Sequence, residues 1–200
     1  MSRPVKTSRR YESAGRQEQA RQTRREVLAA AKALFLERGY AATTMTDVAA
    51  EAGVAVQTVY SSVGGKAALL KAVFDTTIVG DDEPVPVSGR PEIARVSAET
   101  DGRRKLQLFA RYLSGVHQRL SPMVRVLQAA ADTDGDAAQL WEGYHHGRYQ
   151  GMTEFATNLK EQRLLRRGMT VERAAAVLAA HMDVVNWQNL VFRSRAWTAA

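Results

Sequence analysis

The chain has no cysteine. Disulfide frameworks, thiol nucleophiles and cysteine-ligated metals are excluded on that ground alone. Proline is scarce, with five in 200 residues, and runs of alternating β-branched residues are few. Alanine and arginine are abundant, with many leucine, glutamate and glutamine residues beside them, and these residue types favour helix over sheet. No stretch of 18 apolar residues occurs, and the arginine-rich start is not followed by an apolar core, so neither a membrane span nor a signal peptide is expected. The expected location is the cytoplasm. Also missing are a glycine-rich phosphate loop, a nucleophile elbow, a metal-binding helix signature and paired carboxylates at a plausible site. The expectation is therefore a protein that is not an enzyme and needs no cofactor.

What is present is enough apolar material for a real core, 45% of residues, and an excess of basic charge, +7 overall. The excess is concentrated at the start. Residues 1–25 hold eight bases (Arg3, Lys6, Arg9, Arg10, Arg16, Arg21, Arg24 and Arg25) against two acids, Glu12 and Glu18. Such a segment suits the phosphates of a nucleic acid, whose neutralisation releases counterions. Residues 1–16 read equally well as a flexible, solvated arm.

Apolar residues Val27, Leu28, Ala31, Leu34 and Phe35 recur at three- and four-residue spacing, which predicts an amphipathic helix over about 17–38 that ends at Gly39. Thr44-Met-Thr-Asp47 reads as a capping box that opens a second helix of about two turns, closed by Gly53. A third short helix follows over about 55–61 with Val59 inward, and a fourth runs from about residue 65 to Ile78. The acidic, proline-bearing stretch Gly80–Pro91 reads as a linker or surface loop. Beyond it, long helices are expected over about 103–120, from an N-cap at Ser121 with Pro122 at N1, over 137–165 with Asp136 as cap, and over 171–193. The whole is all-α, with about nine helices.

Two short helices joined at a glycine, with a longer helix behind them, form a helix-turn-helix arrangement. One helix can lie along the DNA backbone while the next enters the major groove, which is wide enough for it. Gly39-Tyr40, Thr43-Thr44-Met-Thr-Asp47-Val48-Ala49, Gly53-Val54, Thr58-Val59-Tyr60 and Lys66 with Leu69-Leu70 resemble, over residues 20–75, the N-terminal domain of the TetR/AcrR family of one-component transcriptional regulators.

The resemblance implies a helix-turn-helix DNA-binding domain at 17–66, after the arm at 1–16, and a ligand-binding and dimerisation domain at 67–200. It implies that Thr44 and Thr46 lie beside a phosphate, that Gln57 and Thr58 reach base edges, and that Tyr60, Ser62 and Lys66 hold the backbone. Ala55 and Val56 depart from the family's polar preference, which turns Val56 toward thymine methyl groups. Val63 departs too, standing where an aromatic is usual. The implied function is a homodimeric regulator, read as a repressor released from a palindromic DNA operator by an unknown small-molecule effector, with the last two long helices as the dimer interface. Two other readings stay open at this point: a DNA-coating protein that relies on the basic arm, and an all-α carrier or enzyme with a vestigial DNA domain.

Effector-binding candidates are Phe109, Tyr112, Leu113, His117, Trp141, Tyr144, His145 and Arg148, with His117 and Arg148 as the polar part. Trp141, His145, Arg148 and Met152 share one helical stripe, which packing in a bundle explains as well as a pocket does. His145 and His146 point about 100° apart and have no third ligand at helical spacing, so no metal site is expected.

Overall fold

The computed structural model describes residues 7–81 and 86–193, which fall into two compact units divided between Val73 and Phe74. Nine α-helices occur among the described residues and no strand does. They are α1 (Thr7–Ala42), α2 (Met45–Ala52), α3 (Val56–Val63), α4 (Lys66–Val79), α5 (Pro91–Ala98), α6 (Gly102–Ala131), α7 (Gly135–Glu161), α8 (Val171–His181) and α9 (Val184–Gln188). None of the described helices is long and apolar enough to cross a membrane. Residues 1–6 of the expected arm and 82–85 of the expected linker lie outside the described residues. From Thr7 onward the arm's backbone is helical and continuous with α1.

In the first unit, α1 buries Val27, Leu28, Ala31, Leu34 and Phe35 against α2 and α3. At Gly39 the backbone leaves the helix at φ 80°, ψ 169°, a region open essentially to glycine alone. Tyr40 thereby folds back on α1, its ring centroid 5.8 Å from that of Phe35. Thr43, almost fully buried, donates its hydroxyl to the Gly39 carbonyl at 2.9 Å and satisfies the group freed by the break.

The second unit departs from the sequence expectations in three places. The break expected at Ser121-Pro122 is absent, and α6 runs unbroken for 30 residues with Pro122 inside it. The apolar face is continuous across the proline, since Leu120, Met123, Val124 and Leu127 are all buried. The Ser121 hydroxyl does not cap a helix but accepts a bond from Gln188 Nε2 at 2.7 Å. The cap of α7 is Asp134 rather than Asp136, its carboxylate accepting from Ala137 N at 2.9 Å. The helix expected over 171–193 is interrupted at Met182-Asp183 and ends in a π-helical turn at Asn189–Arg193. Arg148 of α7 sets that break. Its Nη1 donates to the Ala179 carbonyl at 2.7 Å and its Nη2 pairs with Asp183 at 3.1 Å, while Asp183 caps α9 through Val185 N.

At the start of α6, Leu106 is exposed and Lys105 is fully buried. The Lys105 ammonium donates to Ser97 O at 3.1 Å, Glu99 O at 2.8 Å and Gln162 Oε1 at 2.6 Å. Burial lowers its pKa, with the Glu99 charge opposing the shift.

Candidate DNA interface and effector domain

The interface begins with a cap. The Thr44 hydroxyl accepts from Asp47 N at 3.1 Å, and the Asp47 carboxylate accepts from Thr44 N at 2.9 Å and from the Thr44 hydroxyl at 2.7 Å. These bonds hold the Asp47 carboxyl below its usual range, the Thr44 hydroxyl most of all. Reciprocal capping fixes where α2 starts. Gly53, at φ 68°, ψ 30°, fixes where it stops, its N–H turned back onto the carbonyls of Ala49 and Ala50. Three residues later α3 leaves in a new direction, and Val59 anchors it with no exposed surface.

With Val59 inward, the 100° step of the helix sends its neighbours outward. Gln57 is exposed, Tyr60 is 47% exposed, and Val56, Thr58 and Ser62 are half-buried. Thr44 and Thr46 are exposed at the start of α2. A short helix thus presents amide, hydroxyl and phenol groups on one side, with a second short helix and its N-terminus alongside.

Lys66 has partners within the chain. Its Nζ donates to Ala41 O at 3.2 Å and lies 4.4 Å from the centre of the Tyr40 ring, a cation over an aromatic face. Its place at the start of α4 is unfavourable to the helix dipole, and the carbonyl at the end of α1 offsets that. Sequence reasoning missed this carbonyl partner. It also missed Arg24, whose Nη1 donates to Ser62 O at 2.6 Å. By sequence alone Arg24 is one more base of the N-terminal segment. Nothing in local periodicity marks a bond across 38 residues.

The effector candidates separate into two groups. Phe109 stacks on Phe155 with centroids 3.9 Å apart and belongs to a core cluster, with Tyr112 and Leu113 packed at its edge. His117, Trp141, Tyr144, His145 and Arg148 lie in a second set of contacts. Trp141 stacks on Tyr144 and meets His145 edge-on at 4.3 Å, Tyr144 meets Phe74 edge-on at 5.2 Å, and His117 faces Trp187 at 6.3 Å. Burial drives the His117 pKa down to about 4 and the Tyr144 pKa up to about 12, both within the field of Arg148 and Asp183. His117 is therefore neutral near pH 7, and Arg148 is already committed to Asp183 and Ala179. The expected polar pair is thus one neutral ring and one internally paired cation.

The first unit is that of a helix-turn-helix protein that binds DNA. A family model described as bacterial regulatory proteins of the tetR family matches residues 27–73. The probable transcriptional regulator ArpR of Pseudomonas putida is 26% identical over 175 residues, spanning 83% of this chain and 79% of that protein. Among solved structures, a TetR-family regulator from Mesorhizobium loti superposes with a TM-score of 0.67 at 22% identity, covering 90% of this chain and 89% of the other. A complex of SmeT with triclosan superposes with a TM-score of 0.64 at 21% identity, covering 87% and 83%. Residues 27–73 thus match the tetR family of bacterial regulatory proteins, and the chain is a DNA-binding transcriptional regulator.

Proposed function

We propose that this regulator is a cytoplasmic homodimeric repressor that leaves a palindromic operator when a small molecule binds its second unit. The observation that carries the reading is the contrast along α3, where a fully buried Val59 is flanked by exposed Gln57 and Tyr60. Gln57 and Thr58 read base edges, Gln57 pairing with adenine N6 and N7, while Val56 meets a thymine methyl. Thr44, Thr46, Tyr60 and Ser62 contact phosphates and set the register. Lys66 joins them with the N–H donors that Ala41 leaves free, since an ammonium carries three.

Exposed apolar residues support the dimer. Tyr149 on α7, Val177 on α8, Val185 on α9 and Leu190 beyond it are all among the large hydrophobic side chains left uncovered. A two-fold seam through these helices accounts for them. The dimer then presents two recognition helices to successive major grooves about 34–36 Å apart. An effector that favours a dimer with another spacing draws the population off DNA, by no more than its differential affinity for the two forms. SmeT, of like fold, has been solved with triclosan bound. Here the aromatic set around Tyr144 is the effector site, and it includes Phe74 of α4, the helix whose first residue is Lys66.

Selection of bound genomic fragments, followed by footprinting, tests the proposal. The expected result is protection of one palindromic site, with Tyr60→Phe and Lys66→Ala weakening binding on every sequence. Protection spread along the DNA without a preferred site would overturn it.

A further inference from the structure

Arg24 belongs by sequence to the basic segment, yet its side chain is turned into the domain. Its half-buried guanidinium donates to the Ser62 carbonyl at 2.6 Å. Ser62 lies in the last turn of α3 (Val56–Val63), where carbonyls lack partners further along the helix and the dipole is negative. Neighbouring carbonyls of that turn are already satisfied: Gly64 N donates to Tyr60 O at 2.8 Å, and the Ser62 hydroxyl donates to Val59 O at 3.0 Å. Arg24 supplies a charge-assisted bond to one more of these carbonyls, and it does so from α1, one turn before the buried Val27 and Leu28.

We propose that Arg24 is a positioning residue for DNA recognition, which ties the recognition helix to α1 through the Ser62 carbonyl and is not itself a phosphate contact. This rests on the regulator reading above. A helix of eight residues has no stability of its own and takes its direction from what holds it. Ala55, at the N-terminal end of α3, supplies no side-chain cap, and Val59 is a single buried anchor near the middle. One anchor leaves α3 free to tilt. The bond to Ser62 supplies a second fixed point, and two points define a direction. Base contacts through Gln57 tolerate errors of only about 0.5 Å, whereas long side chains on phosphates adjust. Loss of the tether therefore falls on discrimination between sequences rather than on general attraction to DNA.

The test uses the full chain and two duplexes, one enriched by the wild-type protein from a randomised library and one of shuffled sequence. Affinity is measured against salt for wild type, Arg24→Met, Arg24→Lys and, as a control at an exposed neighbour, Arg25→Met. For Arg24→Met, the expected result is a loss of about tenfold on the enriched duplex, the size of one charge-assisted hydrogen bond. The shuffled duplex and the salt slope should be unchanged, and Arg24→Lys, which keeps a donor, should restore most of the preference. An equal loss on both duplexes with a log–log salt slope shallower by about 0.9 would make Arg24 a phosphate contact and overturn the proposal. Wild-type affinity on both duplexes for Arg24→Met would overturn it as well. Should Arg24→Met not fold at the assay temperature, Arg24→Gln, uncharged but still a donor, carries the same slope test. If the wild-type chain enriches no sequence at all, the regulator reading fails and this inference with it. Enrichment with a shallower slope in Arg24→Met removes only the role given to Arg24.

Discussion

The helices of the DNA-binding unit are set mainly by neighbours in sequence, whereas those of the second unit are set by partners far along the chain. Around α2 every boundary has a local cause: the break at Gly39, the Thr44–Asp47 box and the turn at Gly53. In the second unit, α6 ignores its proline while Gln188 holds Ser121, α8 stops where Arg148 holds Ala179 and Asp183, and Lys105 joins the end of α5 to Gln162. Short helices that must present a fixed surface gain from boundaries written into a few adjacent residues. Long helices that enclose a core are held by buried polar ties, each of which costs free energy if left incomplete.

Acid should separate the two units most sharply. His117 is buried in the second unit with a pKa near 4, against 6.5 for the free ring. Between those values the unfolded chain binds the extra proton, so stability is constant above about pH 6.5 and falls as the pH drops toward 4. The full loss is about 3 kcal/mol. Urea unfolding at pH 7 and pH 4.5 should show it, and His117→Phe should flatten the profile in that window. Lys105→Ala removes one donor from three acceptors and opens a cavity, which should cost the second unit about 3 kcal/mol at neutral pH. Chemical denaturation measures this directly.

In the first unit the comparison predicts smaller effects that arise in the backbone. Gly39→Ala should cost about 2 kcal/mol, because φ 80°, ψ 169° is closed to residues with a Cβ. Gly53→Ala should cost about 1 kcal/mol, since its left-handed conformation is milder and no atom lies within 4 Å of the added methyl. Neither added methyl meets an atom within 4 Å, so equal costs at the two glycines, read as shifts in melting temperature, would show that the two backbone conformations are equally strained.

The same contrast explains what the sequence made legible. The all-α fold, the first three helix boundaries after Gly39 and the outward set on α3 follow from glycine, capping and a 3.6-residue period, all of which act within a few positions. Ser121-Pro122, Asp183 and Lys105 were misread or passed over because their environments come from Gln188, Arg148 and Gln162, between 35 and 67 residues away in sequence. The carbonyl partners of Lys66 and Arg24 went unseen for a related reason, since they lie 25 and 38 residues away in sequence.

The central claim is that α3 reads sequence through Gln57 while Val59 stays inward. The most direct measurement is binding-site selection with wild type and Gln57→Ala, with affinity followed against salt. The account predicts that preference relaxes at one symmetric pair of base positions, worth about 1–3 kcal/mol, while other positions and the salt slope are retained. An unchanged base preference with uniformly weaker binding would contradict it.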